Sequence, residues 1–140
     1  MEVNEEESIM SIILKNISIE ALITKIEYEG PRIAIYTTNP RYLMEHNEII
    51  SNMVNTIKKR IVIRTDPSIR KNEEEARSII LQTIPNECEI KSTFFDTALG
   101  EVTVEVRRPW LLNPQVEGVE YNFNLVELVE RTGWKIKIRK

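Results

Sequence analysis

The sequence predicts an α+β fold built from two tandem copies of one small plan, each a three-stranded sheet with helices packed on one face. Two observations predict it. The order helix, strand, strand, helix, strand occurs twice along the 140 residues, with helical apolar spacing in the helices and alternation in the strands. The turn and breaker residues repeat as well, because Gly30 and Gly100 lie in the hairpin turns and Pro40 and Pro109 follow the second strands. We expect one domain over residues 1–66 and a second over residues 67–140.

The first copy contains five main elements. In order they are a helix over residues 5–16, strands over 23–29 and 32–37, a helix over 48–58 and a strand over 60–64. Gly30-Pro31 lies between the first two strands and indicates a hairpin turn. Asn39 and Pro40 are suited to begin a short additional helix, as its cap and its first residue.

The second copy follows a turn over residues 65–68. Asn72 is placed to cap the next helix, with Glu75 at the third position of a capping-box-like start. The remaining elements are strands over 87–94 and 101–107, a helix over 123–131 and a strand over 134–139. Gly133 has the position of a helix C-terminal cap. Cys88, within a predicted strand, is expected to be a small buried side chain.

Composition excludes several classes of protein. Apolar residues make up 41% and charged residues 29%, as in soluble globular proteins. A net charge of −3 permits nucleic-acid binding through a local basic patch. The single cysteine excludes an internal disulfide and a cysteine-based zinc cluster. No apolar run approaches the roughly 18 residues that span a bilayer, and the acidic start over residues 1–7 is unlike a signal peptide, so we expect a cytoplasmic protein without membrane contact.

Four segments carry a family resemblance. They are Ile26-Glu27-Tyr28-Glu29-Gly30-Pro31, Tyr36-Thr37-Thr38-Asn39-Pro40, Lys59-Arg60-Ile61-Val62-Ile63-Arg64-Thr65-Asp66-Pro67-Ser68 and Glu130-Arg131-Thr132-Gly133-Trp134. With the element order, which is that of the type II KH domain, they resemble the paired N-terminal KH domains of archaeal cleavage-and-polyadenylation-specificity-factor-like (CPSF-like) proteins. Those proteins are β-CASP ribonucleases linked to RNA 3′-end processing and transcription termination. The resemblance implies two tandem type II KH-like domains.

Two departures limit what the resemblance implies. The nuclease domains of the family hold zinc through His and Asp residues, and the single histidine, His46, cannot rebuild that site, so nuclease activity is not expected here. KH domains clamp the nucleic-acid backbone with a Gly-x-x-Gly loop. The first KH copy of the family lacks this loop, as the first copy does here. The second carries it just after the proline corresponding to Pro109, but residues 109–122 contain only Gly118.

Basic residues form the main candidate nucleic-acid-binding set. They are Lys58, Lys59, Arg60 and Arg64, then Arg107 and Arg108, and finally Lys135, Lys137 and Arg139. Along the last strand the three cations alternate with apolar residues and share one face, and such a face suits a phosphate backbone. The alternative is a solvated sheet face whose charge is balanced by Glu27, Glu101 and Glu105.

Trp110 admits three interpretations. Its loop contains Asn113 and Gln115, and these residue types stack on or hydrogen-bond to an unpaired base. Trp110 and the two leucines after it could instead fill the groove between helix and strands. A third interpretation is that the 110–118 loop docks a protein partner or a second copy of the chain.

Catalytic and metal-binding patterns are weak. His46 is expected to be a solvated turn residue. The acidic runs at residues 5–7 and 73–75 fall in first helical turns, where the helix dipole explains them. We therefore expect no enzyme, no metal and no cofactor. The leading hypothesis is a non-enzymatic module that binds single-stranded RNA, accessory to RNA processing or transcription termination. The alternative is a degenerate KH pair that acts in protein interaction or dimerisation.

Overall fold

The computed structural model describes residues 5–112 and 124–140. The chain forms two compact units, one ending at Asp66 and the other running from Pro67 to Lys140. Each unit is α+β, with one three-stranded sheet and helices packed on it, which confirms the predicted fold of two tandem type II KH-like units. Among the described helices, none combines the length and apolar character needed to cross a bilayer.

The first unit has the predicted element order. Its elements are α1 (Glu5–Asn16), β1 (Ile23–Glu29), β2 (Arg32–Thr37), α2 (Pro40–Glu45), α3 (Asn47–Ile57) and β3 (Ile61–Thr65). β1 and β2 form an antiparallel hairpin, and β3 pairs with β2 in parallel. The parallel pairing needs a long crossover, which α2 and α3 supply. The Asn39 side chain accepts a hydrogen bond from Tyr42 N at 3.4 Å, as expected for the cap of α2.

The second unit repeats this topology. Its elements are α4 (Glu73–Thr83), β4 (Ile90–Asp96), β5 (Glu101–Val106), α5 (Leu125–Thr132) and β6 (Lys135–Arg139). Asn72 Oδ1 accepts from Glu75 N at 2.8 Å, and Gly133 caps α5 with φ 73°, so both predicted caps are confirmed. The hairpin strands of both units change register at the same place, between Ile23 and Lys25 in one and between Ile90 and Ser92 in the other.

Two elements begin two or more residues later than the sequence predicts. The strand expected from residue 87 begins at Ile90, because Asn86–Cys88 form a short 3-10 turn and Glu89 is left-handed with φ 54°. Cys88 is nevertheless fully buried, as predicted. The helix expected from residue 123 begins at Leu125 with Asn124 as its cap.

The core of each unit lies between its helices and one face of its sheet. In the first unit it comprises Ile9, Ile13, Ile17, Ala21, Ile33, Ile35, Leu43 and Met53. In the second, buried apolar residues are Ala76, Ile80, Ile84, Cys88, Val102, Val104, Val106, Leu128, Val129, Trp134 and Ile136. The three valines of β5 alternate along the strand, so Thr103 and Glu105 point to the opposite face of the sheet.

The segment that opens the second unit is tied to the end of that unit. Trp134 Nε1 donates to Lys71 O at 2.8 Å, and Lys71 N donates to Thr132 O at 3.0 Å. Gly133 lies against Ile69, and a Cβ at Gly133 would overlap the Ile69 carbonyl oxygen. Gly133 is thus required by its positive φ and by this close approach.

Candidate nucleic-acid interface

Lys58, Lys59 and Arg60 lie at one edge of the first sheet, in a groove of about 650 Å³. Lys58 ends α3 in the left-handed conformation, with φ 59°, and the next two residues lead directly into β3. Because β2 and β3 run parallel, the start of β3 lies beside Arg32, the first residue of β2. Arg60 O accepts from Ile33 N at 2.9 Å. Four cationic side chains therefore line one groove, and Arg32 is a member that the sequence analysis missed.

The three consecutive cations of this groove are available to a ligand. Lys58 and Arg60 are exposed, and Lys59 is half-buried with its Nζ 6.0 Å from the centre of the Tyr28 ring. Across residues 9–112 and 124–140, no carboxylate pairs with any of the three. An anion can approach them without first breaking an ion pair of the described residues.

Arg64 does not reach this surface. Its side chain is fully buried, and its Nε and Nη2 atoms donate to the two oxygens of Glu29 at 2.9 and 2.7 Å. This bidentate pair lowers the pKa of Glu29 below its ordinary value of 4.5, because the guanidinium favours the charged carboxylate. We therefore leave Arg64 out of the candidate interface and assign it to holding Glu29, which also contacts Arg32 at 3.2 Å.

Lys135, Lys137 and Arg139 share one face of the second sheet, as their alternation predicted. That face also carries acidic groups. Lys137 Nζ lies 3.0 Å from Glu101 Oε2, and Lys135 Nζ lies 4.0 Å from the other oxygen. Arg139 Nη2 lies 3.8 Å from Glu105 Oε2. The geometry therefore matches the alternative of a charge-balanced face. The third balancing residue, Glu27, belongs to the first sheet, where it pairs with Lys25 at 2.9 Å.

A second basic edge forms where β5 and β6 end. The two strands are parallel, so Arg107 and Arg108, which follow β5, lie at the same sheet edge as Lys140, which follows β6. Glu89 Oε2 lies 3.5 Å from Arg107 Nε, and its other oxygen lies 3.9 Å from Arg108 Nη1. Among the described residues, one carboxylate thus pairs with two of these three cations, and pairs this exposed are weak.

Trp110 belongs to the same edge. It lies in a short 3-10 turn, Pro109–Leu112, with 48% of its surface exposed. The Nζ atom of Lys140 is 5.3 Å from its ring centre. This exposure contradicts the core-filling interpretation and leaves base stacking and protein contact. Asn113 and Gln115, proposed beside it, lie outside the described residues.

The described residues show no metal-binding cluster. No group of three or more His, Cys, Asp or Glu side chains among them is arranged to hold a metal ion. His46 is half-buried rather than solvated. Its ring stacks on Tyr42 with centroids 4.2 Å apart, and its Nδ1 lies 2.8 Å from Tyr42 O. His46 is therefore part of the junction between α2 and α3.

Comparison with known proteins gives a match over the first unit. Residues 3–70 match the model of the KH domain of the transcription termination factor FttA. The chain is 53% identical over 139 residues to the transcription termination factor FttA of Cenarchaeum symbiosum, covering 99% of this chain and 21% of that protein. It is 42% identical over 104 residues to the Thermococcus kodakarensis protein of the same name, covering 74% and 16%.

A more distant relative also matches through both units. The Methanothermobacter thermautotrophicus protein of that name is 34% identical over 132 residues, which cover 94% of this chain and 20% of that protein. The chain thus spans about a fifth of the length of this relative and of the Cenarchaeum symbiosum protein.

Proposed function

Because the chain carries a KH domain that matches the one in transcription termination factor FttA, we propose that it is a non-enzymatic module that binds single-stranded RNA in transcription termination or RNA processing. The observation that carries the proposal is the groove of the first unit. There Arg32, Lys58, Lys59 and Arg60 surround a single described carboxylate, which is already engaged by Arg64. We name this set the first-unit groove.

Contact in the first-unit groove is electrostatic. Lysine and arginine side chains neutralise phosphates and release counterions, so affinity falls with salt and is insensitive to base sequence. The backbone clamp of a KH domain needs a glycine loop between two helices. In the first unit, His46 alone separates α2 from α3. Side-chain charge therefore takes the place of backbone contact.

The second unit contributes a separate contact in this proposal. Arg107, Arg108 and Lys140 supply charge at the end of β5 and β6, and the half-exposed Trp110 supplies a flat ring beside them. Stacking of a base on such a ring adds affinity without strict sequence preference. The candidate set also includes Lys135, Lys137 and Arg139, but their carboxylate partners reduce the net positive charge of that face.

Fluorescence anisotropy tests the groove directly. The probe is a labelled single-stranded RNA of about 12 nucleotides, measured at about 50 mM and about 150 mM salt. The variant Lys58→Gln/Lys59→Gln/Arg60→Gln removes three cations from the groove. Lys15→Gln/Lys25→Gln/Lys91→Gln is the matched control, because it removes the same charge from exposed positions elsewhere.

The groove variant is expected to bind at least about tenfold more weakly than wild type, with a salt dependence shallower by about 2 logarithmic units per decade of salt. The control is expected to lose much less. Equal losses in both variants would reduce the proposal to non-specific attraction, and no binding of wild type at low salt would overturn it.

Protein interaction or dimerisation is the second candidate function, and the exposure of Trp110 favours it. Tryptophan is enriched at the centres of protein interfaces. Size-exclusion chromatography with light scattering would show a dimer for wild type and a monomer for Trp110→Ser. A monomer in both cases removes self-association from consideration.

A further inference from the structure

Phe94 is an aromatic side chain outside the hydrophobic core of the described residues. It lies in β4 with 68% of its surface exposed. Its neighbours in the strand face the helices, since Thr93 Oγ1 accepts from Arg77 Nε at 3.0 Å and the Phe95 ring packs edge-on against Trp134 with centroids 5.0 Å apart. Because side chains alternate along a strand, Phe94 points away from the core onto the open face of the second sheet.

The position next to Phe94 is polar. Ser92, Thr103, Glu105 and Arg139 line a small depression of about 80 Å³ with it. Phe94 pairs with Thr103 of β5, which pairs in turn with Lys137 of β6. One flat apolar ring is therefore bordered by hydroxyl groups and exposed cations. We infer that Phe94 is a stacking platform for one unpaired base of single-stranded RNA, with Lys137 and Arg139 contacting the adjacent phosphates. This inference rests on the proposed function.

The surroundings of Phe94 favour a nucleobase over a protein partner. The centre of a protein interface is depleted of charged residues and enriched in several apolar ones, whereas the depression beside Phe94 contains one apolar side chain and two charged ones. A single ring among polar groups matches a single base, which presents an apolar face and a polar edge.

The carboxylates on this face do not block a phosphate backbone. Arg139 and Lys137 keep 68% and 54% of their side chains exposed while paired with Glu105 and Glu101. The pair of Arg139 with Glu105, at 3.8 Å and with Arg139 largely exposed, is worth little in water. Glu105 Oε2 also accepts from Ser92 Oγ at 3.2 Å. When a phosphate approaches, both cations have the freedom to turn toward it.

Two RNA probes separate stacking from charge. One is the 12-nucleotide single-stranded RNA described above, and the other is a ribose-phosphate chain of equal length without bases. Phe94→Ala is expected to weaken binding of the first probe by roughly tenfold and to leave binding of the second unchanged. Phe94→Trp is expected to restore affinity, and its added fluorescence should be quenched on binding. Ile19→Ala is the control, because it removes apolar surface at a position 88% exposed.

Each outcome decides between the two proposals. Equal affinity of wild type and Phe94→Ala for the base-bearing probe overturns the platform and leaves the first-unit groove standing. A loss on Phe94→Ala without any loss on the groove variant supports the platform and overturns the groove. Equal losses on both probes show that Phe94 acts on the fold rather than on a base, and absence of binding by wild type overturns both.

Discussion

Arg64 and Arg139 occupy equivalent positions in the two units, yet they differ in almost every physical respect. Each lies in the third strand of its sheet, opposite Tyr36 in the first unit and Glu105 in the second. Tyr36 and Glu105 in turn pair with the first residue after the register shift of the hairpin. The Arg64 side chain is fully buried and bonded to Glu29 at 2.7 Å, while 68% of the Arg139 side chain is exposed with Glu105 3.8 Å away. One topology can thus use the same residue type as an internal tie or as a surface cation.

Other equivalent positions also differ between the two units. The residue that ends the last helix is Lys58 in one unit and Gly133 in the other, and both are left-handed. The position opposite Ala34 is Glu27, whereas the matching position opposite Thr103 is Phe94. The first unit has a cluster of cationic side chains at the start of its parallel strands, and the second unit has exposed aromatic rings on its surface. The shared backbone pairing therefore leaves the surface chemistry of each unit free to differ.

Removal of Arg64 gives the largest expected effect of this comparison. Arg64→Ala leaves Glu29 without its buried partner and should lower the free energy of unfolding by about 3 kcal/mol. Arg139→Ala, its counterpart, should change it by less than about 0.5 kcal/mol. Urea unfolding followed by circular dichroism measures both. Similar losses in the two variants would show that the two positions are not physically distinct.

The helix-ending position gives the next largest effect. Gly133→Ala forces a Cβ toward the Ile69 carbonyl at φ 73°, and we expect a loss of about 2 kcal/mol or more. Gly30→Ala is the control, with φ 61° but no atom within 4 Å of a new Cβ, and should lose about 1 kcal/mol.

Lys58→Gly should instead gain about 0.5 kcal/mol by relieving the left-handed lysine while weakening RNA binding. A gain in both properties would contradict the role given to Lys58.

The pH dependence of stability sharpens the contrast at Glu29. Its folded-state pKa is lowered below 4.5 by the hydrogen bond from Arg64. The ionised Glu29 carboxylate therefore gives its full stabilisation above pH 4.5, and this stabilisation is lost as the pH falls through the lower folded-state pKa. The stability difference between wild type and Glu29→Gln should shrink over that acidic range. In the Arg64→Ala background the same comparison should show a weaker pH dependence, because only Arg32 then lowers the pKa of Glu29, and an undiminished dependence there would assign the effect to another group.

The smallest expected effect concerns Cys88 and its counterpart Ala21, which both end a 3-10 turn before the first strand and are fully buried. Burial raises the pKa of the Cys88 thiol above 9.0, so alkylation at pH 8 should be slow in the folded chain and fast in urea. Cys88→Ala should cost about 1 kcal/mol. Rapid alkylation of the folded protein would show that the turn opens readily.

Most of the fold follows from the sequence because local signals agree along its length. The caps Asn39, Asn72 and Gly133 and the alternation of β5 mark elements whose bounds the structure confirms within a residue or two. The prediction that Cys88 lies in a strand is wrong, because its alternation with Ile90 extends the strand pattern backwards into the 3-10 turn Asn86–Cys88. Residues 113–118 of the predicted 110–118 docking loop lie outside the described residues.

The candidate site was less predictable because it depends on contacts between distant residues. The burial of Arg64 follows from Glu29, 35 positions away, and Arg32 joins the groove only through the parallel register of β2 and β3. Phe94 and Phe95 are adjacent, so the sequence does not show which one faces the core. The register shift between Ile90 and Ser92 settles that choice.

The tie between Lys71 and Trp134 bears on the order in which the chain folds during synthesis. The hydrogen bond spans 63 positions, so Lys71 gains this contact only when nearly all of the second unit has been made. The first unit possesses all its strands once β3 has left the ribosome. Since domains fold as units during synthesis, the first unit should be native while the second is still incomplete, which makes the second the more exposed to proteases and chaperones at that stage.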